Sequence, residues 1–307
     1  MSNIFSLLSA GGQKLSLREP DEVRKVAVEG GSVVTYSYGK GDETLLLLQG
    51  GPGCPSMYVR DMHANAADLG YRVVFFDQLG TGASDKPDDP SLWTIERYAR
   101  EVEAVRQALG LGKMQLWGHS WGAMLAIEYA CTFPEGFKSL TLAHGIANVP
   151  FHQREADRLV ANFGPEFVRM RRRHELKRDF SHPEYQASEL IMLYRHACRL
   201  RHWPAAVVED LKYINVQIRD AMLGQEYYVY GNLRHWNRIP DMHKITQPCL
   251  IMTGEHDALT PNESEEMLSV MPNARLHLFD NASHFPAYEC RDEYYPVMEK
   301  FWAENRG

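Results

Sequence analysis

The sequence lacks the cysteine pattern of a disulfide-held protein. It has five cysteines in 307 residues, at positions 54, 131, 198, 249 and 290, an odd number with no C-x-x-C pair. A disulfide framework is not expected, and a reducing, cytoplasmic setting fits. Long apolar runs are missing too. None approaches the roughly 20 residues that span a bilayer, so no membrane partner is expected. Met1 to Ala10 lacks the basic and apolar regions of a signal peptide. An excess of positive charge is also absent. The net charge is −7 and the pI about 6.0, which argues against nucleic acid as the main partner. The one basic run, Arg169 to Arg178 (RMRRRHELKR), reads as a solvated helix face. No cluster of His, Cys and carboxylates has metal-ligand spacing, so neither metal nor cofactor is expected. There is no internal repeat and no low-complexity segment.

What remains is a chain with 44% hydrophobic residues, enough for one large domain or a core with an insertion. Val23–Val28 and Ser32–Tyr38 read as strands around a Gly30-Gly31 hairpin turn. Beyond them come short, nearly all-apolar runs: Thr44–Gln49, Tyr71–Phe76, Leu116–Trp117, Ser139–Ala143, Cys249–Thr253 and Leu276–Phe279. Helical stretches such as Ile95–Leu109 and Ala123–Thr132 separate them. Buried strands alternating with helices predict an α/β fold, a mostly parallel central sheet with helices on both faces. Its ligand crevice lies at the carboxyl ends of the strands. Residues 150–240 break the alternation. Their helical patterns, Gln186–Arg199 and Ala205–Asp220, predict a helical cap over a core formed by 1–149 and 241–307.

Gly118-His119-Ser120-Trp121-Gly122 sits between a strand and a helix and reads G-x-S-x-G. A serine on such a turn exposes its hydroxyl above the sheet. A hydroxyl is a poor nucleophile until a base takes its proton, and the base needs an acid to orient it. Asp257 follows the strand Cys249–Thr253 and His284 follows Leu276–Phe279, in the chain order Ser…Asp…His expected for this sheet. Ser120, His284 and Asp257 are therefore the candidate nucleophile, base and orienting acid. His256 competes as base, but neighbouring side chains on a turn diverge. Asp77 competes as acid, but in its glycine-rich turn a short carboxylate bonds its own backbone. The loop Gln49-Gly50-Gly51-Pro52-Gly53 offers backbone N–H groups, so an oxyanion hole from the N–H groups of Gly51 and Trp121 is expected.

These residues resemble a known family. The G-G-P-G turn, the D-Q-L-G-T-G-A-S turn, the G-H-S-W-G elbow, G-E-H-D-A-L-T-P and S-H-F-P are similar to those of the prolyl aminopeptidase (proline iminopeptidase) and L-amino-acid amidase family of α/β-hydrolases. His182–Gln186 and Gly224–Gly231 resemble the cap of the tricorn-interacting aminopeptidase subgroup. The resemblance spans about residues 20 to 300. It implies a cofactor-independent serine peptidase or amidase acting on a small-molecule or short-peptide substrate with a free α-amine. It also implies that Glu226, in the cap, binds the substrate ammonium. Two positions depart from the family pattern. Ala258 stands where a second glutamate commonly follows the triad acid, and Gln49 where the oxyanion motif begins with histidine. Together they suggest an amide, ester or lactone whose amine is absent or substituted. An esterase or lactonase on the same triad and a non-catalytic ligand-binding protein are the alternatives, and no oligomeric state is implied.

Overall fold

Leu45, Leu46, Leu47 and Leu48 are all buried to 1% exposure or less, so successive side chains pointing to opposite faces all meet protein. Each such leucine contributes about 2 kcal/mol of burial. The computed structural model describes residues 7–307, so the first six residues of the Met1 to Ala10 stretch read for a signal peptide lie outside it. The leucines belong to an eight-stranded sheet built from β1 (Glu22–Val28), β2 (Gly31–Tyr38), β3 (Glu43–Leu48), β4 (Tyr71–Asp77), β5 (Met114–His119), β6 (Phe137–Ala143), β9 (Cys249–Gly254) and β10 (Ala274–Phe279). A separate two-stranded hairpin, β7 (Gly224–Gln225) with β8 (Tyr228–Val229), lies between β6 and β9 in the chain. The sheet order is β1-β2-β4-β3-β5-β6-β9-β10. β1 and β2 form the expected antiparallel hairpin, and β2 is antiparallel to β4. Every other pairing is parallel.

The helices are α1 (Met57–His63), α2 (Ile95–Ala108), α3 (Trp121–Thr132), α4 (Val149–Ala161), α5 (Pro165–Lys177), α6 (Pro183–His196), α7 (Ala205–Lys212), α8 (Val216–Met222), α9 (Pro261–Val270), α10 (Pro286–Glu289) and α11 (Arg291–Glu304). Alternate residues of the central strands feed two cores. Leu46, Leu48, Val74, Phe76 and Leu116 pack with Val102 of α2 and Leu125 of α3. Leu45, Leu47, Val73, Phe75 and Trp117 pack with Val59 of α1 and Phe301 of α11. This is the α/β-hydrolase architecture expected of the sequence. Its parallel strands end on one side, which gathers the loops after β3, β5, β6, β9 and β10.

Three expectations need correction. The predicted helix Ala205–Asp220 is two helices: the first ends at Lys212 with Tyr213 as its C-cap, and Asn215 caps the second. Its side chain accepts from the N–H groups of Gln217 and Ile218, and its own N–H donates to the Gly53 carbonyl. The basic run is not a wholly solvated face. Arg171 is buried, donating to Ser188 Oγ at 2.8 Å and pairing with Glu189, and it ties α5 to α6. The last strand begins at Ala274, two residues earlier than its apolar run, because its register pairs Ala274 with Cys249.

Candidate active site

The turn between β5 and α3 is held by two close backbone approaches. A Cβ on Gly118 would lie 2.1 Å from the Gly122 carbonyl oxygen, and one on Gly122 would lie 2.3 Å from that of Leu48. Only glycine fits at both positions. Between them Ser120 takes φ 57° and ψ −122°, a conformation that L-residues rarely adopt. Its N–H donates to the Ala143 carbonyl at 2.9 Å, which clamps the turn to the end of β6. Ser120 is the N-cap residue of α3, yet its hydroxyl makes no capping bond. The side chain instead lines a cavity of about 980 Å³, mouth included.

His284 and Gly51 line the same cavity. The His284 imidazole is oriented through its Nδ1, which meets Asp257 Oδ1 at 2.8 Å. Burial disfavours the charged imidazole, but the Asp257 charge and hydrogen bond outweigh it and hold the pKa above its ordinary value. Asp257 is buried at 1% exposure. Burial pushes its carboxyl up; the charge of His284 and hydrogen bonds from His144 and His284 overcome that and hold it well below the usual range. Leu259 N–H also donates to Oδ1, at 3.0 Å. Asp257 does not cap the helix after it. Thr260 does, in a capping box with Glu263.

The competitors lie elsewhere. His256 turns its ring toward Glu255, 3.7 Å away, and is about a third exposed. Asp77 accepts from Ser56 N–H and Oγ, Ala83 N–H and the Tyr36 hydroxyl, so its oxygens are committed. Gln49 is buried and does not line the cavity. With its amide turned to satisfy both atoms, it bridges the Phe76 carbonyl and the Gln78 N–H, each at 3.1 Å. Trp121 keeps its indole in the core, donating to Gln78 Oε1 at 2.9 Å, so only its backbone N–H is offered to the turn. The first N–H groups of a helix have no intrahelical acceptor, and they favour negative charge nearby.

Sequence reasoning missed four residues. His144, directly after β6, sets its Nδ1 2.6 Å from Asp257 Oδ2. Burial lowers its pKa, so it is a neutral donor to the carboxylate. The strand-end rule that found Asp257 and His284 also points to His144. Tyr58 and His119 form a polar chain beneath the site. His119 Nε2 is 2.9 Å from the His284 carbonyl, which can only accept, so Nδ1 accepts from the Tyr58 hydroxyl at 2.8 Å. The same hydroxyl accepts from Gly50 N–H at 2.7 Å. Burial holds His119 neutral. His152, on α4, meets Glu263 Oε1 at 3.0 Å and the Glu226 carbonyl at 3.2 Å. Burial works against its charge, but Glu263 wins and raises its pKa to about 9.

Helices α6, α7 and α8 and the β7–β8 hairpin supply the other wall, including Trp203, Val207, Leu211, Ile214 and Tyr227. Glu226 stands among these apolar groups. Among the described residues no protein donor reaches its carboxylate, whose pKa is raised by burial against the charges of His152 and His284. Ala258 lines the cavity and packs with Tyr227 and Met192. His144, Asp257 and His284 place ligand-type atoms close together, but their mutual hydrogen bonds account for that closeness.

A sequence profile of the alpha/beta hydrolase fold family matches residues 43–289. The chain is 32% identical over 263 residues to a proline iminopeptidase of Saccharolobus solfataricus, covering 85% of this chain and 84% of the relative. It is 34% identical over 250 residues to a proline iminopeptidase of Flavobacterium johnsoniae, covering 80% and 84%. The crystal structure of a proline iminopeptidase from Mycobacterium smegmatis superposes with a TM-score of 0.85 at 28% identity, covering 92% of this chain and 98% of that one.

Proposed function

We propose, for a chain that belongs to the proline iminopeptidase family of α/β-hydrolases, that Ser120, His284 and Asp257 carry out its hydrolysis and that N-terminal prolyl peptides or small amides are its substrates. The protein is an enzyme, a serine hydrolase. The observation that carries the assignment is the hydrogen bond of His284 Nδ1 to buried Asp257 beside a cavity that also receives the uncapped Ser120 hydroxyl. With Nδ1 committed, Nε2 is the nitrogen left to take the serine proton.

Ser120 Oγ attacks the carbonyl carbon while His284 Nε2 removes its proton. Negative charge gathers on the carbonyl oxygen, where the N–H groups of Gly51 and Trp121 receive it; one such donor is worth about 10²–10³ in turnover. The carbon–nitrogen bond breaks as His284 returns the proton to the leaving amine. Water, activated by the same imidazole, then releases the acid and frees the serine. Glu226 binds the substrate ammonium, since a desolvated carboxylate without a protein donor pairs strongly with a cation. Residues 150–240 act as the cap over a core of 1–149 and 241–307. No helix among the described residues is long and apolar enough to cross a membrane, and the five free cysteines fit a cytoplasmic location.

A fluorophosphonate probe tests the nucleophile: native protein is labelled and Ser120→Ala is not. A panel of prolinamide, alaninamide and p-nitrophenyl esters tests the substrate class. The apolar wall and Ala258 in place of a second carboxylate favour a second reading, an esterase or lactonase. A preference for esters that Glu226→Ala leaves untouched would establish it.

A further inference from the structure

Arg219 stands on α8, one turn beyond its N-cap residue Asn215. That end of α8 is fastened to the glycine-rich side of the cavity. Asn215 donates its N–H to the Gly53 carbonyl at 2.8 Å and its side-chain amide to the Gly80 carbonyl at 2.9 Å. Arg219 thereby shares the cavity wall with Gly51, Cys54 and Ser120. Among the described residues it is the one arginine or lysine that lines this cavity.

The protein satisfies this guanidinium poorly. Its Nε is buried with no acceptor among the described residues. Its closest anionic contact is a 3.4 Å approach to the adjacent Asp220. Arg171 also leaves its Nε without an acceptor, but its Nη groups are held by Glu189, Ser188 and Tyr185, whereas those of Arg219 meet only Asp220 among the described residues. The Nε is closed off from the cavity, but the outer Nη groups are not, and beyond the single Asp220 contact they have hydrogens to offer an anionic ligand. A planar guanidinium fork suits a carboxylate. Glu226, on the hairpin that follows α8, offers the opposite charge to the same space.

We propose that Arg219 binds a substrate carboxylate, so that the substrate is a zwitterion: a prolyl or other small aminoacyl dipeptide with a free α-carboxylate on its leaving residue. This rests on the aminoacyl-hydrolase reading above. Glu226 takes the ammonium, Ser120 the carbonyl between, and Arg219 the carboxylate. An extended dipeptide spans about 7 Å, well within the cavity. Val207, Leu211 and Ile214 line it as well, which suits an apolar leaving side chain such as leucine.

The test compares prolyl-leucine with prolyl-leucine amide on native enzyme, Arg219→Gln and Arg219→Lys. Native enzyme should favour the free acid in kcat/KM by about tenfold or more, the worth of a charge-assisted hydrogen bond. The ratio should fall to near one in Arg219→Gln, mainly through KM, and recover in part in Arg219→Lys. Equal rates for acid and amide on native enzyme overturn the carboxylate site while leaving prolyl hydrolysis intact. If neither compound is cleaved, the aminoacyl reading fails by itself. Calorimetric binding of 4-methylpentanoate against its amide then decides the site. Tighter binding of the acid to native protein but not to Arg219→Gln upholds carboxylate binding, and equal binding overturns it.

Discussion

In the proposed mechanism His284 must be neutral to accept a proton, and Asp257 outweighs burial to raise its pKa above the ordinary value. The rate constant kcat/KM should therefore rise with pH through an apparent pKa above 6.5, measured on a prolyl substrate, and a profile flat from pH 6 to 8 would contradict the assigned base. His144 supplies the second donor to Asp257. Removing it in His144→Phe leaves Oδ2 buried without that donor, at a cost of about 1–3 kcal/mol, and makes the carboxylate more basic. The acid limb of the pH profile should move upward, with lower stability in denaturant. Ala258 offers a converse test. Ala258→Glu adds a carboxylate to the cavity beside Glu226, so the ratio of free-amine to N-acetylated turnover should increase. At this scale Ser120, Asp257 and His284 could be singled out as candidates because each follows an apolar strand run, and the structure pairs His284 with Asp257. Tyr58, His119 and His152 could not, because their partners lie 61, 165 and 111 residues away, and no local pattern marks such pairs.

At the scale of elements, the elbow depends on contact between α3 and β3. Gly122→Ala would set a methyl 2.3 Å from the Leu48 carbonyl oxygen, a distance only a backbone shift relieves. Its unfolding free energy should fall by about 1–3 kcal/mol or more and probe labelling of Ser120 should drop; a variant as stable and reactive as native would show that α3 has room. His152 joins α4 to the start of α9 and to the β7–β8 hairpin. Its folded pKa is raised from 6.5 to about 9. The stability it confers is then complete below about pH 6.5 and is lost as pH climbs through about 9. On the order of 3 kcal/mol is at stake if the shift is fully realised. Thermal unfolding from pH 6 to 10 should show this loss in native protein and not in His152→Gln. The parallel strands and their order of appearance were readable from apolar runs with glycine-rich ends. The break at Asn215 was not. Its periodicity continues through the cap residue, and the bond to Gly53 that fixes the break is a contact between distant segments.

At the scale of the whole molecule, helices α6 to α8 and the hairpin wall in the cavity, so the active site is proposed to admit a chain end and not a chain middle. Peptides beginning with proline should lose one residue from the amino end, and N-acetylated or internal prolines should stay intact. Mass spectrometry of a short-peptide digest checks this, and internal cleavage would contradict it.

The sequence by itself determined the sheet, the strand ends and the residues placed on them, because hydrophobic periodicity and glycine turns act over a few neighbours. It did not reveal the hydrogen bond of a second histidine to Asp257, the polar chain through Tyr58 and His119, or the Nε of Arg219 that is left without an acceptor. Those depend on which loops the folded sheet brings side by side and on which polar groups burial then leaves without partners.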